Sequence, residues 1–191
     1  MKKILGVGTA LVDIIAQVDD EVIVKLGLNK GSMSLIEETQ ISQIRKYFNN
    51  PTITSGGSVC NTIHELNHSS HEASFFGKVN DDDYGHAFLK DMEEAKIPFS
   101  GIKEKNSLPT GCCNILVTHD GERTMATHIG IGSQLSVQDI NKEIFQGIDH
   151  VYMEAYLWDH DLTKAALKKV GALSKELKFE LSFSLSDPFC V

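Results

Sequence analysis

Short apolar runs alternate with longer amphipathic segments along most of the chain, and this alternation constrains the fold more than any other feature. The run Glu72–Phe76, for example, is followed by residues 82–95, where Tyr84, Phe88 and Met92 lie on one helical face. Strands that alternate with helices form right-handed βαβ units. The sequence therefore predicts an α/β fold whose mostly parallel sheet carries helices on both faces. The predicted strands are 3–7, 11–18, 32–36, 52–55, 72–76, 110–118, 122–129, 150–154 and 179–184, and the predicted helices are 37–48, 57–67, 82–95, 137–145 and 162–177.

One region interrupts this alternation. Residues 110–118 and 122–129 are both strand-like, and Asp120 and Gly121 lie in the three residues that join them. An Asp-Gly pair between two strands is typical of a β-hairpin. We therefore expect a small β-sheet lid or edge ribbon, for which residues 11–36 supply partner strands.

Composition excludes several classes of protein. The net charge is −8 and no block of Lys and Arg occurs, so nucleic acid is not an expected partner. No apolar run approaches the roughly 20 residues of a membrane span, and no secretory leader is recognisable. The cysteines form no C-x-x-C pair, which favours reduced thiols in a cytoplasmic protein over a disulfide framework or a zinc ribbon. They are Cys60, Cys112, Cys113 and Cys190.

The segment HELNH, from His64 to His68, matches the H-E-x-x-H pattern of zinc hydrolases. Two histidines four residues apart share a helical face and can bind one ion. However, the longer form of the motif fails at Ser74, and no third ligand stands out. Both histidines also lie roughly 135–175° from the apolar stripe of their helix, so surface histidines are the favoured interpretation. A zinc hydrolase remains the remote alternative.

The pair Gly56-Gly57 lies between a predicted strand and a predicted helix, at the carboxyl end of the strand. Ligands bind at this edge of open α/β sheets. Glycine allows the backbone to approach a ligand closely, and the helix N-terminus offers free N–H groups. Asn61, one turn into the helix, can donate and accept hydrogen bonds to a hydroxyl. The alternative is a plain tight turn followed by a surface asparagine.

Two carboxylates occur where carboxylates are costly. Asp13 interrupts an apolar run, and Glu154 follows one at the end of a predicted strand. A carboxylate in such a setting is destabilising unless it is paired or faces a polar site, so both are candidate functional residues. Gly6 and Gly8 begin a dinucleotide-binding fingerprint, but Leu11 occupies the position of its third glycine. No Walker-type phosphate loop occurs in the sequence either.

Six segments follow the motif pattern of one known family. They are GVGTALVD at 6–13, GGSVCNT at 56–62, FGKV at 76–79, DDYG at 82–85, PTG at 109–111 and DGERT at 120–124. The set resembles the ribokinase-like (PfkB) carbohydrate and nucleoside kinases, and is similar to the adenosine-kinase and sugar-kinase branch in particular. The resemblance covers essentially the whole chain, in order.

This resemblance implies a ribokinase-like fold with an incomplete α/β core and a small β-sheet lid. The core would comprise residues 1–13, 37–106 and 130–191, and the lid residues 14–36 and 107–129. It also implies phosphoryl transfer from ATP, with Mg²⁺ carried by the nucleotide, to a primary hydroxyl of a sugar or nucleoside. A homodimer through the exposed edge of the lid sheet is possible.

The resemblance further implies the roles of individual residues. Asp13, Gly57 and Asn61 would hold the hydroxyls of the acceptor, and the glycine pair would act as a hinge for lid closure. An apolar slot for a base would involve Cys113, Ile115 and Phe99, which favours adenosine slightly over a sugar. The expected substrate-binding residues are Asp13, Gly56, Gly57, Asn61, Cys113 and, by a looser match, Glu154.

One motif of the family does not occur in this sequence. The second signature, a Gly-Ala-Gly-Asp stretch whose Asp is the catalytic base, lies in the C-terminal half of such kinases. No Gly-x-Gly-Asp occurs here, and no helix follows the last predicted strand. We therefore expect the N-terminal part of a longer kinase, with no catalytic residue of its own and no activity alone. The alternative is a non-catalytic protein that binds a sugar or nucleoside.

Overall fold

The computed structural model describes residues 2–69, 71–105, 108–187 and 190, and in these ranges it contains strands, α-helices and short 3-10 turns. In chain order the strands are β1 (Lys3–Val7), β2 (Leu11–Gln17), β3 (Met33–Leu35), β4 (Thr52–Gly56), β5 (Glu72–Phe76), β6 (Lys78–Asn80), β7 (Ile102–Glu104), β8 (Thr110–Val117), β9 (Arg123–Gly130), β10 (His150–Glu154) and β11 (Glu180–Ser184). The helices are α1 (Asp20–Lys25), α2 (Glu38–Arg45), α3 (Ser58–His68), α4 (Asp83–Glu94) and α5 (Asp161–Leu177).

A four-stranded parallel sheet forms the centre of the molecule, in the order β11-β10-β1-β5. Its side chains alternate between two buried layers, because successive residues of a strand point to opposite faces. Phe75 packs with Phe88 of α4 on one face, and Val7 packs with Leu167 of α5 on the other. The prediction of a parallel sheet covered by helices on both faces is confirmed.

A second, five-stranded sheet has mixed strand directions, in the order β3-β9-β8-β2-β4. Strands β8 and β9 form the predicted antiparallel hairpin, whose turn contains Gly121 at φ +83°. The N–H of Gly121 donates to the carbonyl of Thr118 over 2.8 Å. One face of this sheet packs on α1, α2 and α4 through residues such as Val12 and Leu116.

The position of β4 differs from the simple βαβ expectation. It precedes a helix, yet it pairs antiparallel with β2 at the edge of the second sheet rather than entering the parallel sheet. Residues 1, 70, 106, 107, 188, 189 and 191, which the expected division into core and lid includes, lie outside the described residues.

The predicted helix at 137–145 is wrong. The Asp139 carboxylate accepts hydrogen bonds from the backbone N–H and the hydroxyl of Ser136, at 2.8 and 2.9 Å, and lies 3.2 Å from the ammonium of Lys78. These contacts fix a turn, and only a 3-10 turn at Lys142–Phe145 follows. A helix that the sequence did not predict, α1, buries Val22 and a neighbouring isoleucine under the second sheet.

No helix among the described residues is both long and apolar enough to cross a membrane.

Candidate binding cavity

A cavity of about 200 Å³ lies between the second sheet and the parallel sheet. Its walls are the segment that follows β1, the N-terminus of α3, the end of β10 and the face of the second sheet that no helix covers. Thr9, Gly57 and Glu154 belong to the first three of these walls. The carboxyl edge of the parallel strands therefore opens into this cavity, as expected for an open α/β sheet.

The exposed face of the second sheet forms the floor of the cavity. Register places Asp13 beside Cys113, Cys113 opposite Thr127 and Thr127 beside Leu35, so these four residues form one row across the strands. The next row along the strands contains Ile115, Met125 and Met33, and Leu11 and Ile129 lie at the other end. Apolar side chains thus surround the polar members of the first row, Asp13, Cys113 and Thr127.

Both glycines of the pair are required by close contacts. Gly57 has φ +101°, and a Cβ atom there would lie 2.5 Å from the carbonyl oxygen of Thr9. A Cβ on Gly56 would lie 2.2 Å from the carboxyl carbon of Asp13. Real Cβ atoms do not approach other atoms so closely, so a side chain at either position would displace the backbone or the carboxylate. Gly57 lines the cavity, whereas Gly56 supports Asp13 from the side.

Asp13 presents a carboxylate to the cavity from β2. No donor among the residues that the structure describes hydrogen-bonds to this group. Burial raises its pKa to about 6, and the charge of Arg123 only partly opposes that shift. A half-buried carboxylate that faces a cavity and has no protein donor favours the binding of a hydroxyl-bearing ligand, because the ligand would donate the hydrogen bond.

Glu154 is almost fully buried, with 1% of its surface exposed. One carboxylate oxygen accepts the backbone N–H of Thr9 over 2.7 Å, and the other accepts that of Val59 over 3.1 Å. Burial raises its pKa, while these hydrogen bonds act in the opposite direction. Glu154 thus joins the segment after β1 to the first turn of α3, and it also lines the cavity.

Asn61 and Cys113 occupy opposite sides of the cavity. Asn61 lies on the first turn of α3, exposed at the rim. Cys113 is buried in the floor, where it accepts a hydrogen bond from the Thr127 hydroxyl over 3.3 Å. Burial raises the pKa of the Cys113 thiol to about 12. Five of the six expected residues therefore line one cavity, and Gly56 lies directly behind it.

The sequence analysis missed part of the cavity and misplaced one residue. Met33, Met125 and Tyr156 also line it. The two methionines share the floor with Ile115 because of strand pairing, which no local pattern reveals. Phe99, expected beside Ile115, instead packs in an aromatic cluster, with its ring centroid 6.0 Å from that of Phe88. Phe99 lies there because it forms a parallel β-bridge with Phe75 of β5, an edge strand of the parallel sheet.

The HELNH segment lies at the opposite end of α3 from the glycine pair. His68 is exposed, as expected, but His64 is half-buried with its Nε2 atom 3.3 Å from the Ser55 hydroxyl oxygen. Within the described ranges no group of three or more His, Cys, Asp or Glu side chains is placed to hold a metal ion. The structure offers these two histidines no third ligand there.

Comparison with known families gives one match that spans the chain. Residues 2–190 match the model of the pfkB family carbohydrate kinases. Curated relatives include the guanosine-inosine kinase of Escherichia coli K12, 24% identical over 163 residues, and adenosine kinase 2 of Arabidopsis thaliana, 29% identical over 145 residues. These alignments cover 81% and 73% of this chain, but only 37% and 41% of the relatives.

Solved structures agree with this match. An adenosine kinase from Sinorhizobium meliloti superposes with a TM-score of 0.90 at 32% identity, and a probable sugar kinase from Rhizobium etli with 0.92 at 31%. Each comparison covers all of this chain and 58% of the other. The predicted ribokinase-like fold is confirmed, and the chain spans little more than half the length of these neighbours.

Proposed function

The chain belongs to the pfkB family of carbohydrate kinases, and on that premise we propose that its cavity binds the acceptor of an ATP-dependent phosphoryl transfer. The acceptor is a nucleoside, adenosine in the first place, and the group to be phosphorylated is its primary hydroxyl. One observation carries this proposal: the cavity floor places a half-buried carboxylate to which no described residue donates, Asp13, beside a broad apolar surface.

The ribose of the nucleoside would bind at the polar end of the cavity. The half-buried Asp13 carboxylate would accept hydrogen bonds from ribose hydroxyls, which supply the donors that the described residues do not. Asn61 lies across the rim and can donate and accept at the same hydroxyls. Gly57 has no side chain, so the sugar can lie against the backbone at the N-terminus of α3.

The base would bind on the apolar part of the floor. Met33, Leu35, Ile115 and Met125 face this region. A free sugar would leave these side chains against water, whereas a purine would cover them and gain roughly 25 cal/mol for each Å² removed from water. This is why a nucleoside is favoured over ribose or fructose.

The catalytic groups and the ATP site are not assigned to this chain. The catalytic base, most of the ATP site and the oxyanion donors belong to the Gly-Ala-Gly-Asp region of the family, which these 191 residues do not contain. Because no cluster of potential metal ligands is placed for Mg²⁺ in the described ranges, the ion would be held by ATP and the rest of the enzyme. We therefore propose that this chain binds the acceptor but transfers no phosphate by itself.

Strands β3, β8 and β9 and most of β2 of the second sheet would act as the lid over the acceptor, while β4, which pairs with β2, falls in the core by the bounds below. Residues 14–36 and 107–129 remain the proposed lid, attached to the core 1–13, 37–106 and 130–191. Closure would exclude water and so prevent ATP hydrolysis. A homodimer through this sheet and a cytoplasmic location remain predictions.

A second candidate is a binding protein without transferase activity. The absence of Gly-x-Gly-Asp from the sequence favours it as much as it favours a kinase fragment. Both candidates use the same cavity, so they differ in whether a catalytic half is ever joined to it.

Isothermal titration of the chain with adenosine, guanosine and ribose tests the proposal. We expect adenosine to bind most tightly, and the Asp13→Asn variant to bind it at least about tenfold more weakly, because a hydrogen bond to a charged group is lost. Asp83→Asn, an exposed carboxylate outside the cavity, serves as the matched control. Equal affinities of wild type and Asp13→Asn would contradict the assignment of Asp13. ATP-dependent phosphorylation by the chain alone would contradict the proposal that it binds the acceptor without transferring phosphate.

A further inference from the structure

The end of β4 is held by a carboxylate that belongs to the helical layer. Asp91 of α4 accepts the backbone N–H of Ser55 over 2.5 Å and the hydroxyl of Thr54 over 3.1 Å, both through its Oδ2 atom. Strand β4 lies at an edge of the second sheet, so Ser55 has no further strand on that side to accept its N–H. Asp91 supplies the acceptor in place of a strand.

A second carboxylate holds the chain just beyond the glycine pair. Glu154 accepts the N–H of Val59, in the first turn of α3. Ser55 and Val59 are thus both fixed by carboxylates of the α/β layer, one on α4 and the other on β10. Only Gly56, Gly57 and Ser58 lie between these two fixed points.

We propose that Asp91 is a positioning residue for the cavity: by fixing the end of β4 it keeps Gly56 against the Asp13 carboxylate. Without Asp91, the end of β4 could slide along α4, and Gly56 would no longer hold its close contact with that carboxylate. The consequence for ligand affinity rests on the proposed function, but the positioning of β4 itself does not.

His64 belongs to the same arrangement. Its Nε2 atom lies 3.3 Å from the hydroxyl oxygen of Ser55, so α3 contacts the strand end that α4 also holds. The half-buried position of His64 thereby receives an explanation that requires no metal. The first histidine of the HELNH segment supports the approach of β4 to the glycine pair.

Amide hydrogen exchange on the full 191-residue chain tests this positioning without any ligand. In Asp91→Ala we expect the amide of Ser55 to exchange about tenfold faster or more, because its hydrogen-bond acceptor is lost. The amides of Phe88 and Met92, inside α4, should keep their protection. Thr54→Val removes one of the two hydrogen bonds and should give a smaller increase, while Glu94→Ala, an exposed carboxylate on the same helix, should give none.

Two results would overturn the proposal. Unchanged exchange at Ser55 in Asp91→Ala would show that the carboxylate fixes nothing. Loss of protection throughout α4 would show a general role in core stability instead of local positioning.

Titration with adenosine provides the second measurement. Asp91→Ala should weaken binding by about tenfold, whereas Asp91→Asn keeps an amide oxygen that can accept the N–H of Ser55 and should weaken it less. Faster exchange at Ser55 in Asp91→Ala with unchanged affinity would overturn the link to the cavity. If the wild type binds no nucleoside, the proposed function fails, and the exchange result still decides the role of Asp91.

Discussion

The two sheets of this molecule use their faces differently. The four-stranded parallel sheet is covered by helices on both faces over β10, β1 and β5, whose side chains contribute to two buried layers, while the edge strand β11 stays largely exposed. The five-stranded mixed sheet is covered on one face only, and its other face forms the floor of the cavity. A side chain on the parallel sheet therefore contributes mainly to stability, while a side chain on the open face of the mixed sheet is free to contribute to binding.

The largest contrast is expected in stability. Phe75, on β5, has no exposed surface and packs 5.6 Å from the ring of Phe88, whereas Leu35, on β3, is 48% exposed. Phe75→Ala should lower the free energy of unfolding by about 3–5 kcal/mol, through lost burial and a new cavity. Leu35→Ala should change it by less than about 0.5 kcal/mol. Urea unfolding of both variants measures the difference, and similar losses would remove the contrast between the sheets.

The pH dependence of stability tests the same comparison of the two sheets, because Asp13 lies on the open face of the mixed sheet. Because the pKa of Asp13 is raised to about 6, the native state binds its proton more tightly than the unfolded chain does. Between about pH 4 and pH 6 the native state holds more protons, so this residue makes the unfolding free energy fall as pH rises, by about 3 kcal/mol in all. Above pH 6 the loss is complete, and below pH 4 it is absent.

Asp13→Asn removes this titration. Relative to wild type, the variant should therefore be more stable at pH 7 by about 3 kcal/mol and equally stable near pH 3.5. Urea unfolding at a series of pH values measures the difference, in which the titration of the other carboxyls cancels. A constant difference across the range would mean that Asp13 is not the group that burial perturbs.

The smallest effect concerns affinity. Leu35→Ala removes apolar surface from the proposed base slot and should weaken adenosine binding by about 1 kcal/mol, or about fivefold. Val24→Ala is the control, since Val24 is 78% exposed on α1 and does not line the cavity. If the two variants bind equally well, the base does not lie at the rim of the open face.

The parallel sheet could be predicted from the sequence because its pattern is local. Each strand is a short apolar run, and each following helix shows its own periodic stripe, as Phe88 and Met92 do on α4. The helix at 137–145 failed because a tertiary contact between Asp139 and Lys78 decides that segment. Helix α1 was missed because its six residues are too short for a periodic pattern to be recognised.

The sequence predicted those cavity residues that are unusual for their place in the chain. Asp13 interrupts an apolar strand and the glycine pair precedes a helix, and both features can be recognised from the sequence alone. Met33 and Met125 are ordinary strand residues, and only the register between β3 and β9 places them on the floor. Asp91 looks like any polar residue of an amphipathic helix, because its contact with Ser55 depends on how α4 lies against an edge strand.

The Cys113 thiol lies on the cavity floor, where a ligand would rest against it. With a pKa of about 12, only about one molecule in 10⁵ carries the thiolate at neutral pH, and the thiolate is the reactive form. Oxidants and alkylating reagents that enter the cavity would therefore react slowly there. The site keeps a polarisable sulfur as a contact surface while remaining nearly inert as a nucleophile, so an electrophile carried on a nucleoside would be a poor covalent label for this position.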